Sequence, residues 1–313
     1  MPSFFNNLFQ KKSSKIILPS KLDATPELLK SINPGIVTIK TNEPVLSPSP
    51  TEVHLDVPQL IVGIAQSVGI QRDHNEDSLF TITTNLISND KTIKFGLYIV
   101  ADGMGGHANG ELASSLAVKK LASHVINTLY LPSISTSDNQ LGISIQEVMQ
   151  AGVMHAHQSI KENAAGGGTT LTAALILGDQ MTIAHVGDSR AYFVDPGGNL
   201  QLLTHDHSLV KRLVEIGQIS PEQASTHPNR NLLYRALGQG EPFEPDITSL
   251  QVCQGCELLI CSDGLWGVIP ENDITDILRS SSEPQLVCQI LIDTANAAGG
   301  PDNISVIIVR FPK

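Results

Sequence analysis

From residue 60 onward the chain is punctuated by short runs of Val, Ile, Leu and Thr that end at Gly, Asp or Asn. Runs of this length between turn residues predict strands; they fall at 60–66, 78–84, 95–101, 170–178, 181–187, 190–194, 257–262 and 303–311. After the third run the period changes. Leu112, Leu116, Leu121, Val125 and Leu129, then Ile145, Val148, Met149, Val153, Ala156 and Ile160, recur at steps of three to five, the stripe of a helix with one buried face. Asn109 is placed to cap the first of these helices, and 131–144 makes the turn between them. Two later helices are predicted at 273–279 and, with Pro284 in the first turn, at 285–297. Strand clusters separated by helix pairs give an α+β order with mostly antiparallel sheets.

The first 58 residues follow neither period. Residues 13–58 hold seven of the 18 prolines, and no aromatic residue lies between Phe9 and Phe80. Such a segment cannot supply a packed core, so 1–58 reads as a low-complexity tail and linker and 59–313 as the folded domain. Phe4, Phe5, Leu8 and Phe9, followed by Lys11 and Lys12, have the spacing of a short docking or membrane-surface helix. A frayed terminus is the plainer reading.

Composition narrows the partners. With a net charge of −11 the chain has no basic surplus to neutralise a nucleic-acid backbone. No apolar run approaches the roughly 20 residues that cross a bilayer, so no transmembrane segment is expected. Four cysteines in 313 residues, with no secretory leader, argue against a disulfide framework and for a reducing, cytoplasmic setting. Cys253 and Cys256 form a C-x-x-C without a second pair at zinc spacing, and read as a plain turn before the strand at 257–262.

The acidic residues are distributed less evenly. Asp102, Asp188 and Asp263 each follow an apolar strand and stand beside Gly or Ser, while Asp77 and Asp302 stand just before strands. In an antiparallel sheet the exit of one strand lies beside the entry of its neighbour, so these carboxylates are expected along one edge. Carboxylates gathered in this way repel one another unless cations lie between them. An oxygen-only donor set without His or Cys selects Mg²⁺ or Mn²⁺ over zinc.

The motifs around these residues occur in a fixed order: RDHNEDS from Arg72, VADGMGGH from Val100, GGGTTLTAAL from Gly166, HVGDSRAY from His185, LTHDHSLV from Leu203, NLLYRALG from Asn231, ICSDGLWGV from Ile260 and GGPDNISVIIV from Gly299. This set resembles the metal-dependent protein phosphatases of the PPM, or type 2C, family. The resemblance implies a four-layer αββα sandwich, two antiparallel sheets face to face with a helix pair outside each. It implies that Asp102 bridges two core cations, that the Gly103 carbonyl, Glu76 and Asp77 serve one directly or through water, and that Asp263 and Asp302 serve the other. Asp188 with Asp263 is implied to hold a third, weaker ion, and Arg72 to grip the substrate phosphate, a task suited to a planar fork of donors.

The implied reaction is hydrolysis of phosphoserine and phosphothreonine on protein targets of Ser/Thr kinases. A hydroxide shared between Mn²⁺ or Mg²⁺ ions is the implied attacking group, and the implied enzyme is a cytoplasmic monomer. No cysteine is followed by five residues and an Arg, which removes a cysteine-phosphatase mechanism. Residues 204–245 match the family's movable flap, where the resemblance puts substrate choice. Where the animal branch has His after the Asp-Gly pair, this chain has Met104 in the bacterial pattern DGMGGH; His107 is then the candidate acid, with a loop histidine of no role as the alternative. His155 and His157 face different ways on a predicted helix, and His74, His205 and His207 read as structural. Two competing readings are a silent PPM-fold module that binds phosphorylated partners and a phosphatase of anti-sigma antagonists. The first is expected to have lost a metal Asp or Arg72, the second to lack the arginine and the flap, and all are present here.

Overall fold

The computed structural model describes residues 59–88, 91–105, 108–135 and 144–312, all within the unit Leu55–Lys313. The N-terminal segment 1–58 and His107 lie outside the described residues. In chain order come β1 (Ile61–Ser67), β2 (Ser78–Ser88), β3 (Lys91–Ala101), β4 (Gly103–Met104), α1 (Ala108–Val125), a π-helical turn (Ile126–Tyr130), α2 (Leu131–Ser135) and α3 (Ile145–Asn163). They are followed by β5 (Gly168–Thr169), β6 (Leu171–Leu177), β7 (Gln180–Val186), β8 (Arg190–Val194), β9 (Leu200–Leu202), α4 (Leu209–Glu215) and α5 (Pro221–Ser225). The last elements are β10 (Asp246–Gln251), β11 (Glu257–Cys261), α6 (Asp263–Trp266), α7 (Glu271–Arg279), α8 (Pro284–Ala297) and β12 (Ile304–Arg310).

The strands form two five-stranded antiparallel sheets, one in the order β1-β12-β11-β8-β9 and the other in the order β10-β7-β6-β3-β2. A two-stranded ribbon, β4 with β5, stands apart from both. Strand parity explains why the predicted strands read as continuous apolar runs: both faces are covered. On β3, Phe95, Leu97, Ile99 and Ala101 pack with α1 and α3, whereas Tyr98 and Val100 point between the sheets. On β12, Ile304, Val306 and Ile308 face the α7–α8 side, whereas Ile307 and Val309 meet Tyr98 and Val100 in the middle. The result is the expected αββα sandwich with three apolar layers. Each aliphatic side chain buried to this degree contributes about 1.5–3 kcal/mol against exposure. Tyr98 is fully buried in the central layer, and its hydroxyl is satisfied by Thr83 Oγ1 at 2.9 Å, as a buried phenol requires.

Several expectations are corrected. Helix α1 begins at Ala108, so Asn109 lies inside its first turn and is not its cap. The expected turn after it is partly helical, since the chain continues through the π-helical turn into α2 as far as Ser135. The C-x-x-C is not a plain turn: Cys253 and Cys256 are joined in a disulfide with their Cα atoms 5.6 Å apart, within the usual bonding range. No helix among the described residues is long and apolar enough to cross a membrane.

Candidate active site

The sheet registers bring the strand-end carboxylates to one edge. Ser78 pairs with Ala101, which sets Asp77, before β2, across from Asp102, after β3. Leu171 pairs with Val186, so Thr170 and Asp188 fall at the same end. Cys261 pairs with Val306 in the other sheet, and Asp263 and Asp302 leave and enter there.

Backbone contacts hold each segment in place. Asp102 N–H donates to Thr170 Oγ1 at 2.9 Å, and the Asp102 carbonyl accepts from Thr170 N–H at 2.9 Å and Thr169 Oγ1 at 2.8 Å. The segment carrying Arg72 and Glu76 is stitched to the start of β12 by Asn303, whose Oδ1 accepts from Glu76 N–H at 2.8 Å. Its Nδ2 donates to the carbonyls of Val68 and His74 at 2.8 and 2.9 Å. Gly103 is required by close approach: a Cβ there would stand 2.3 Å from the Gly110 carbonyl oxygen and 2.6 Å from that of Glu76. Gly187, beside Asp188, has φ of +105°, a region that side chains with a Cβ rarely adopt.

A cleft of about 660 Å³ opens on this edge, lined by Arg72, Glu76, Asp102, Gly103, Asp188, Asp263 and Asp302 from the predicted set. Asp77 is buried off its wall. One of its oxygens accepts from Ser262 Oγ at 2.9 Å and Ser305 Oγ at 2.7 Å, both on the opposite sheet. Its other oxygen, Oδ1, is buried with no hydrogen-bond partner, as is Asp263 Oδ1. Arg72 sits at the rim, where its Nη2 donates to Asp302 Oδ2 at 2.7 Å. The residue expected on the substrate phosphate is thus paired with one expected on a metal.

The electrostatics follow from this crowding. Burial pushes Asp77 up to about 7, against the two serine hydroxyls that favour its charged form, and Asp263 and Asp302 push in the same direction as burial. Burial and then Asp302 push Asp263 up to about 6. Asp102 is raised well above the usual carboxylate range by burial, then by Asp77, Asp263 and Asp188, and Asp188 by burial, then Asp263. Negative charge gathered at such cost, together with two orphaned buried oxygens, fits divalent cations bound by hard oxygen donors. No three His, Cys, Asp or Glu side chains among the described residues close on a common point as a finished ligand shell. The carboxylates stand around the cleft as separate donors.

Some supports are histidines read from the sequence as structural, and others escaped it. His74 lines the cleft and contacts Asp73 and, through Nε2 at 2.9 Å, Glu76 Oε1; its place inside RDHNEDS was the available signal. Ser262 and Ser305 are small polar residues in apolar runs, and only the register shows that they converge on Asp77. Arg190 donates from Nε and Nη2 to Asp206 at 3.0 and 2.7 Å and stacks 3.6 Å over Trp266. Trp266 in turn donates from Nε1 to the Asp188 carbonyl at 3.0 Å. The flap stem is pinned by His207, which is buried. Its Nδ1 accepts from Gly187 N–H at 3.1 Å, and its own N–H donates to the Gly187 carbonyl at 2.7 Å. His157 holds the flap's other end, with Nδ1 accepting from Gly238 N–H at 3.2 Å and its ring stacked on Phe243.

The family model described as Protein phosphatase 2C matches residues 65–304. The chain belongs to the protein phosphatase 2C family. Within that family it is 41% identical over 214 residues to the serine/threonine phosphatase stp of Listeria welshimeri, covering 68% of this chain and 84% of the relative. It is 34% identical over 259 residues to protein phosphatase PhpP of Streptococcus pneumoniae, covering 80% and 97%. The solved structure of the Mycobacterium tuberculosis serine/threonine phosphatase PstP/Ppp superposes with a TM-score of 0.67 at 32% identity, covering 82% of this chain and all of that one. A structure of the PstP catalytic domain in complex with two manganese ions superposes with a TM-score of 0.66 at 31% identity, with the same coverage. As a protein phosphatase 2C the chain is a metal-dependent protein serine/threonine phosphatase.

Proposed function

We propose that the cleft hydrolyses phosphoserine and phosphothreonine on protein targets of Ser/Thr kinases. Two core ions, Mn²⁺ or Mg²⁺, and a third, weaker one serve the reaction, and the chain acts as a monomer in the cytoplasm. The observation that carries the reading is the pair of buried, unpartnered carboxylate oxygens, on Asp77 and Asp263, at a cleft lined by further carboxylates with an arginine on its rim. Asp102 would hold both core ions, with Glu76, Asp77 and the Gly103 carbonyl toward one and Asp263 and Asp302 toward the other. Asp188 with Asp263 would hold the third. When bound, the ions neutralise phosphoryl oxygens and lower the pKa of the attacking water.

The chain's own groups do the rest. Arg72, half-exposed and paired with Asp302, would offer its fork to the phosphoryl oxygens, and Asp302 would be left to hold a cation. Thr169 and Thr170 fix the Asp102 backbone, and Ser262 and Ser305 hold the Asp77 carboxylate itself. His107 donates the proton that a serine or threonine alkoxide needs to depart. No thiol competes as nucleophile: burial pushes Cys261 and Cys288 each up to about 12, and no cysteine lines the cleft.

The test is phosphate release from a phosphothreonine peptide with Mn²⁺, repeated with chelator and with Asp102→Asn. Release should require the cation and fall by several orders of magnitude in the variant. Metal-independent release, or wild-type turnover in Asp102→Asn, overturns the reading; a chain that binds phosphopeptide without releasing phosphate is a silent binding module.

A further inference from the structure

A second cleft, of about 480 Å³, opens beside the flap and shares Asp188, Asn231 and Asp263 with the first. Apolar Val210 and Val214 and the Trp266 ring form part of its wall, and Lys211 and Arg230 supply positive charge. Its other arginine, Arg190, is committed to Asp206. Lys211 and Arg230 are exposed, and neither side chain makes a hydrogen bond or ion pair among the described residues. Glu215, on the same helix as Lys211, is engaged by His205 and by Arg212. The carboxylates on the shared wall, Asp188 and Asp263, are those proposed above to hold cations. Two uncommitted positive charges therefore flank an apolar groove that is continuous with the phosphate cleft, in a chain whose net charge is −11.

We propose that this second cleft reads the substrate chain next to the phosphorylated residue, with Lys211 and Arg230 selecting an anionic side chain, either a carboxylate or a second phosphoryl group. Val210, Val214 and Trp266 take up the stretch of peptide between. The inference rests on the phosphatase reading and names the substrates that it prefers.

The test compares kcat/KM for phosphothreonine peptides in which Glu, phosphoserine or Gln is walked through the flanking positions, with p-nitrophenyl phosphate as a substrate too short to reach the groove. The wild type should prefer an anion over Gln at its best position by about tenfold, the combined effect of two partly exposed ion pairs, and added salt should erode the preference. Lys211→Ala with Arg230→Ala should bring the ratio toward one, and Lys211→Glu with Arg230→Glu should invert it in favour of Gln. Preference for Glu identifies the carboxylate as the ligand, and preference for phosphoserine alone identifies the phosphoryl group. Equal kcat/KM for all three at every position, or a preference that survives the charge reversal, overturns the proposal. A wild type that hydrolyses p-nitrophenyl phosphate but shows no flanking preference sinks this inference alone; one that hydrolyses nothing with Mn²⁺ sinks the phosphatase reading beneath it.

Discussion

Stripping divalent cations should leave a protein whose stability falls as pH rises toward and through neutrality and then levels off. Asp77 titrates near 3.8 in an unfolded chain and at about 7 in the fold, so the folded state keeps a proton that the unfolded state has lost, and stability declines as pH climbs through the folded value. At about 1.4 kcal/mol per pH unit, its full ionisation withholds about 4 kcal/mol from the metal-free fold. About 1 kcal/mol of that falls between about pH 6.5 and about pH 8, a fall in Tm of about 2–4 °C for a domain of this size. The range has a floor, because His185 is pushed down to about 4 by burial and its protonation in the unfolded chain destabilises the fold increasingly below about pH 6.5. Thermal melts in chelator across that range measure the slope. Asp77→Asn, which keeps an acceptor for Ser262 and Ser305, should make it shallower, the other raised carboxylates keeping part of it, and Mn²⁺ should flatten it in the wild type. A metal-free Tm that is flat or rises from about pH 6.5 to about pH 8, or identical slopes in wild type and Asp77→Asn, would refute the reasoning.

Arg72→Ala should raise KM for phosphopeptide by about tenfold while calorimetry still detects bound metal, because the fork serves phosphate and its loss frees Asp302. Asp188→Ala should leave two tightly bound ions but lower turnover at limiting Mn²⁺, read by titrating Mn²⁺ against rate; a curve superposable on the wild type removes the third site. His107→Gln should slow phosphopeptide hydrolysis strongly and p-nitrophenyl phosphate hydrolysis little, since p-nitrophenolate departs without a proton; equal losses on both remove His107 from the acid role. His207→Ala should cost about 1–3 kcal/mol in denaturant melts, the penalty for orphaning the buried Gly187 N–H that it accepts.

The sandwich was legible because its strands are buried on both faces, which compresses them into apolar runs that stand out from the turns. Strand β10 escaped because it is a half-exposed edge strand, Asp246–Gln251, with polar residues that break any run. Strand β9 has three residues, too few for a period. Leu209 and Leu213 stand at helical spacing in α4, yet no residue of that helix is fully buried, so amphipathic spacing in this segment reports a cover and not a core. The carboxylates could be grouped in advance because each sits at a strand end, a position that sequence displays directly. Their supports could not. That Ser262 and Ser305 serve Asp77, or that Trp266 reaches the Asp188 carbonyl, depends on register and on which sheet faces which, and neither leaves a mark on the local pattern.

The pairing of β1 with β12 has a consequence for how the enzyme is made. Among the described residues β1 is an edge strand paired only with β12, and Asp77 finds its serines 185 and 228 residues downstream. A ribosome adding about 5–20 residues per second exposes β1, Arg72 and Asp77 for on the order of 10–50 s before β12 exists to receive them. A chain cut before Asp302 would lack that carboxylate, β12 and the Ser305 hydroxyl that holds Asp77, and is expected to release no phosphate from a phosphopeptide.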